Sequence, residues 1–142
     1  SCATEAAVMS KKPAVGDKVV ARSFPPISRH TLALYCGASG DHNPIHVDID
    51  FAKKAGFPDV FAHGMLVMAC LGGAVTDAFA PGSIRSFSTR FVAITQIGAK
   101  IACEGVVSEV FDVDGEARVR VALTAQDEKS EVKLAGEAVV AI

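Results

Sequence analysis

Gly64-Met65-Leu66-Val67-Met68-Ala69-Cys70-Leu71-Gly72-Gly73-Ala74-Val75-Thr76-Asp77-Ala78-Phe79 carries a single charge, at Asp77. A helix drawn through it is apolar on every side until that residue, the mark of a helix enclosed by other elements rather than lying on a surface. Its charge-free part, Gly64 to Thr76, falls short of the roughly 20 residues a membrane-spanning helix needs. Pro81-Gly82 ends it. Beyond that point the apolar period changes to two. Ser83 to Ile94, Lys100 to Phe111, Glu116 to Gln126 and Val132 to Ile142 all have the length and composition of strands. In the third, Val119, Val121 and Leu123 face one way and Arg118 and Arg120 the other. In the fourth, Val132, Leu134, Ala138 and Val140 are expected to alternate with outward-facing Lys133 and Glu137. Asp112-Val113-Asp114-Gly115 carries the Asp-Gly signal of a hairpin turn.

On the N-terminal side, Val15-Gly16-Asp17 punctuates the chain and Lys18 to Phe24 reads as a short strand stopped by Pro25-Pro26. Ser28 is a candidate N-cap for a helix reaching Gly40. Ser39 to Asp50 is dense in turn formers, and Phe51 to Ala55 makes one or two helical turns before Gly56. The plan is α+β, an antiparallel sheet wrapped around a central apolar helix. One small sheet cannot bury both faces of such a helix. A second sheet or subunit is therefore expected to cover the rest, which predicts a homodimer or higher oligomer.

The composition agrees with one domain: 142 residues, 50% hydrophobic and 21% charged. The apolar excess, a mean hydropathy of +0.34, comes from aliphatic residues, since there is no Trp, one Tyr and eight Phe. A net charge of -2, with no basic run beyond Lys11-Lys12 and Lys53-Lys54, excludes a nucleic-acid partner. Ser1 to Met9 has neither the basic nor the apolar region of a signal peptide, so a cytoplasmic protein without membrane insertion is expected. Residues 1–12 are read as a tail in which Met9-Ser10-Lys11-Lys12 has the form of a natural start, and 13–142 as the domain. Cys2, Cys36, Cys70 and Cys103 contain no CxxC pair and are read as buried reduced thiols. Their near-even spacing is not a repeat, because the intervening residues share no pattern.

The chemistry concentrates in Ser39-Gly40-Asp41-His42-Asn43-Pro44-Ile45-His46. Asp41 and His46 can converge if the chain turns back between them, as Gly40 and Pro44 favour, and the two could then share a water as an acid and base pair. The alternative is that Asp41 and Asn43 only make Asx turns and His46 is a satisfied core histidine. About twenty residues on, Ala62-His63-Gly64-Met65 opens the apolar helix, where free backbone N–H groups favour negative charge and the Gly64 N–H is a candidate oxyanion donor. His63 itself is read as a packing or hydrogen-bonding residue, and His30 as a surface one. His42 and His46 have the spacing of a zinc pair, with Asp41 or Asp48 as oxygen donors, but further ligands have no source except His63. No metal and no cofactor are expected.

SGDHNPIH with Asp48, Ala52, Gly56-Phe57 and then AHGM resembles the MaoC-like hydratase/dehydratase family, hot-dog-fold enzymes that include (R)-specific enoyl-CoA hydratases and 3-hydroxyacyl-thioester dehydratases of fatty-acid synthesis. The likeness runs from Val15-Gly16-Asp17 to about Gly105, and the two motifs at this separation are far more specific together than either alone. It implies a single hot-dog fold, with Asp41 and His46 as the catalytic pair holding the water, Asn43 orienting them and the Gly64 N–H polarising the thioester carbonyl. Arg90-Phe91 matches the family's Arg-Phe, Gly98 the turn after it, and Met65, Phe91 and Arg90 become candidate substrate contacts. An acyl tunnel beside the helix would draw on Met65, Leu66, Met68, Leu71, Phe87 and Phe91. Two departures stand out: Ile94-Thr95 in place of Pro and Val, expected to alter only the sheet edge, and Gly72 where some hydratases carry Ser. The activity implied is reversible hydration of trans-2-enoyl thioesters of CoA or acyl-carrier protein to (R)-3-hydroxyacyl thioesters. A non-catalytic partner subunit of a heteromeric dehydratase and a hot-dog acyl thioesterase are the alternatives.

Overall fold

The computed structural model describes residues 11–142, so Cys2 and the tail reading up to Ser10 lie outside the described residues. A turn with Gly16 at φ +94° and the Asp17 carboxylate accepting from the Ala14 N–H (2.8 Å) leads into β1, Lys18–Ser23. Helix α1, Arg29–Ser39, starts where the Ser28 side chain accepts from the Thr31 N–H and stops at left-handed Gly40, whose N–H donates to the Cys36 carbonyl. A single 3₁₀ turn, Pro44–His46, follows. Helix α2, Ile49–Lys54, begins two residues before the expected Phe51, because Asp48 caps it by accepting from the Asp50 and Phe51 N–H groups. Helix α3, Gly64–Ala78, is the apolar stretch.

The remaining strands are β2 (Ile84–Phe91), β3 (Ala102–Val113), β4 (Glu116–Gln126) and β5 (Val132–Ala141). They join β1 in one antiparallel sheet ordered β1-β3-β4-β5-β2. The β3–β4 hairpin turns through Asp114 and Gly115, both at positive φ, which a two-residue turn matching the strand twist requires. Val119, Val121, Leu123 and Ala125 of β4 and Leu134, Ala138 and Val140 of β5 are buried on the face that meets Val67, Leu71, Ala74 and Val75 of α3. The expected sheet around a central helix is therefore present. The helix is not enclosed on every side, however: Met65 and Ala69 lie exposed, since the sheet of one chain covers one face only. Among the described residues no helix is long and apolar enough to cross a membrane.

Two strand expectations are corrected. β2 ends at Phe91 rather than Ile94, and the next residues form a strap across the start of β5. In the strap, the Val92 and Ala93 N–H groups both donate to the Lys133 carbonyl (2.9 and 3.4 Å). Lys133 does not face solvent but is 2% exposed. The pairing register shifts between Ala125 and Gln126, which breaks the alternation at this point of β5, and the strap covers the side chain. Its ammonium donates to the Ile94 carbonyl (2.9 Å) and lies against the Asp127 and Glu131 carboxylates.

Candidate active site

Asp41 leaves α1 immediately after its Gly40 cap, and its Oδ1 accepts from the Asn43 N–H at 3.2 Å. The Asn43 side chain in turn accepts from the Ile45 N–H at 3.1 Å, capping the 3₁₀ turn that carries His46. Both Asx turns are thus formed, yet they use one oxygen of each residue. Asp41 Oδ2 has no hydrogen-bond partner among the described residues and stands 4.0 Å from His46 Nε2. His46 is buried and its Nδ1 lies 2.7 Å from the Phe61 carbonyl. A carbonyl only accepts, so Nδ1 carries the hydrogen, and in the neutral form of the ring the Nε2 lone pair points towards Asp41.

His63 lies beneath. Its ring stacks on that of His46 (centroids 3.8 Å apart, planes at 25°) and meets Tyr35 edge-on at 4.8 Å. Its Nε2–H donates to the Asp41 carbonyl at 3.2 Å, with Cys36 Sγ at 3.5 Å. Burial holds this imidazole below its ordinary pKa, the Asp41 carbonyl opposes that and neighbouring His46 adds to it, so His63 is a neutral spacer that props His46 and Asp41. This agrees with the packing and hydrogen-bonding reading. His63 Nδ1 is buried and has no partner among the described residues.

Among the described residues Asp41, His46 and His63 are the side chains that could hold a metal, with donor atoms within 4.8 Å of one another. Their arrangement is poor for it: the imidazoles are stacked, so the lone pairs in their ring planes run side by side instead of converging, and His63 Nε2 is already engaged. His42, the other half of the zinc-like spacing, is exposed, as is His30. Asp48 serves as the α2 cap.

Gly64 sits at the N-terminus of α3, next to His63, and among the described residues nothing accepts from its N–H. A Cβ there would lie 2.8 and 2.9 Å from the Phe91 ring, so the glycine provides room. A cavity of about 300 Å³ opens beside it, lined by Gly64, Phe61, Val67, Phe91, Thr95 and Leu134 among others. Of the predicted contacts, Phe91 reaches this place and exposed Met65 follows Gly64 in the helix. Arg90 does not: it pairs with Ala135, on the sheet face opposite α3 beside Thr124 and Glu137. Leu71 is fully buried in the core, and Phe87 packs near Gly72, where its ring would be 3.9 Å from a Cβ. Sequence reasoning missed Tyr35, Cys36 and the Phe61 carbonyl, and only the aromatic just before AHGM could have drawn attention to Phe61.

A family model described as a MaoC like domain matches residues 10–129. The chain belongs to the MaoC-like dehydratase family. It is 36% identical over 107 residues to the fatty acid synthase beta subunit TOXC of Cochliobolus carbonum, covering 73% of this chain and 5% of that one. With the mitochondrial 3-hydroxyacyl-[acyl-carrier-protein] dehydratase of Arabidopsis thaliana it shares 36% over 88 residues, 61% of this chain and 51% of that one. It spans about half or less of such curated relatives. The unliganded R-hydratase PhaJ1 of Pseudomonas aeruginosa superposes with a TM-score of 0.78 at 30% identity, over 90% of this chain and 81% of that one. This MaoC-like chain thus has the α+β hot-dog fold, its sheet wrapped around α3.

Proposed function

We propose that the chain catalyses reversible hydration of trans-2-enoyl thioesters, carried on CoA or acyl-carrier protein, to (R)-3-hydroxyacyl thioesters. The observation that carries this reading is the 4.0 Å gap between Asp41 Oδ2 and His46 Nε2, with the imidazole anchored through Nδ1. One water at about 2.8 Å from each atom spans such a gap. In the forward direction the water oxygen bonds to C3 and the pair takes the proton it gives up. The C2=C3 electrons shift towards the thioester carbonyl, and C2 receives a proton from the pair. The Nε2 lone pair faces the water, and Asn43 holds the other Asp41 oxygen out of the way. Charge developing on the carbonyl oxygen is met by the Gly64 N–H at the positive end of α3, a contribution of about 3 kcal/mol for one donor in a dry site. The mainly apolar cavity beside Gly64 suits the acyl chain, with Phe91 in its wall and exposed Met65 next to Gly64 as a candidate contact outside the lining. Arg90 faces away and is assigned no contact with substrate.

The reaction class is the one named in the Arabidopsis dehydratase and the Pseudomonas R-hydratase. The test is a panel of enoyl thioesters of increasing chain length on both carriers, followed by loss of enoyl absorbance with a thiol reagent present. Enoyl loss without thiol release is expected. Thiol release would make the chain a thioesterase, and inertness until a second chain is added would make it a partner subunit.

A further inference from the structure

Buried Lys133 and Asp127 and half-buried Gln96 form a polar group whose side chains the chemistry above does not use, although Lys133 also borders the cavity beside Gly64. Lys133 and Asp127 are 2% and 4% exposed. Burying two charges is costly unless they are paired and hydrogen-bonded. Here they are both. The Lys133 ammonium donates to the Ile94 carbonyl (2.9 Å) and to the Glu131 carboxylate, and Asp127 Oδ2 stands 3.6 Å away as an ion-pair partner beyond hydrogen-bond range. Asp127 Oδ1 accepts from the Lys129 and Glu131 N–H groups at 2.9 Å each, and Oδ2 accepts from Gln96 Nε2 at 3.0 Å. The Gln96 hydrogen bond above all, helped by those backbone N–H groups and by Lys133, holds the Asp127 carboxyl down to about 2, so it stays ionised.

The group fastens the strap, and the strap fastens the site. The Thr95 carbonyl receives the Ala62 N–H at 2.8 Å, and Gln96 forms a β-bridge with Phe61. The Phe61 carbonyl receives the His46 Nδ1–H, and Ala62 stands two residues before Gly64. We propose that Lys133, Asp127 and Gln96 are positioning residues, which hold the Phe61 carbonyl that sets the His46 tautomer and the backbone that aims the Gly64 N–H. The proposal rests on the hydration reading. It also changes the meaning of Ile94-Thr95, which belongs to this strap and not merely to a sheet edge.

Gln96→Leu and Lys133→Met, each in the full chain, test it by two readouts: hydration kinetics with crotonyl-CoA, and the ¹⁵N signals of the His46 imidazole. A slight displacement of a reacting group can cost about 100-fold, so kcat is expected to fall about 10- to 100-fold with KM changed less than about threefold. The His46 signals are expected to move from the Nδ1–H pattern to a mixture of tautomers. Lys18→Met, at an exposed ion pair with Glu104 on β1, is the control expected to change neither. If Lys133→Met fails to fold because Asp127 is left unpaired, Lys133→Met with Asp127→Asn removes both charges and is read in the same way. A folded Gln96→Leu protein with wild-type kcat and wild-type His46 signals overturns the proposal. So does a fall in kcat with unchanged His46 signals, which would make the group merely structural. A wild-type protein that hydrates no thioester sinks the functional reading instead, and the His46 signals alone then judge the positioning role.

Discussion

His46 owes its orientation to a backbone oxygen and its surroundings to a second histidine. The Phe61 carbonyl fixes the hydrogen on Nδ1, and the His63 ring, stacked at 3.8 Å, prevents the imidazole from tilting. That support has a consequence for stability. Burial holds the folded-state pKa of His63 below its ordinary value, so the unfolded chain takes up the proton first as pH falls. The native state is unaffected above the ordinary imidazole range, near 6.5, and loses stability progressively below it. Melting curves recorded from pH 7.5 to 4.5 are expected to show a Tm that declines through this window, and His63→Gln is expected to flatten the decline. The approach of Asp41 to His46 was legible because both lie in one short loop whose turn formers bring them together. The oxygen that orients His46 belongs to another segment's backbone, and a backbone carbonyl has no signature in residue type.

At the scale of elements, the N-terminus of α3 and the end of β2 meet over Gly64. The φ of Gly64 lies outside the positive region, so alanine fits the backbone and only its Cβ, 2.8 Å from the Phe91 ring, is in conflict. Phe91 is 58% exposed and can swing aside. Gly64→Ala is therefore expected to leave Tm within a few degrees while lowering kcat about tenfold or more through the displaced ring and N–H. Adding Phe91→Ala is expected to recover part of the loss, and a single variant with wild-type kcat would remove the crowding argument. The caps at Ser28 and Gly40 and the Asp114-Gly115 turn were readable in the sequence, since a local hydrogen bond or a positive φ dictates each. The early end of β2 and the burial of Lys133 were not. Val92 to Ile94 continue the strand composition, and what redirects them is a register shift on β5 together with distant Asp127, a contact between segments some thirty residues apart.

For the whole molecule, the unfinished feature is the open side of α3. Met65 (54%), Phe91 (58%), Val92 (55%) and Ile94 (52%) are large apolar side chains left in water around the cavity mouth. A second subunit covering them would both hide this surface and close the site to solvent. Sedimentation equilibrium is expected to give at least twice the 14.7 kDa of one chain, and a mass of one chain would contradict the prediction of an oligomer. The central claim concerns the water between two side chains, and the initial rate of crotonyl-CoA hydration by wild-type, Asp41→Asn and His46→Ala proteins tests it most directly. The wild type is expected to hydrate the thioester and each variant to fall by about 10²- to 10⁴-fold while melting like the parent. Folded variants that hydrate at the wild-type rate would contradict it.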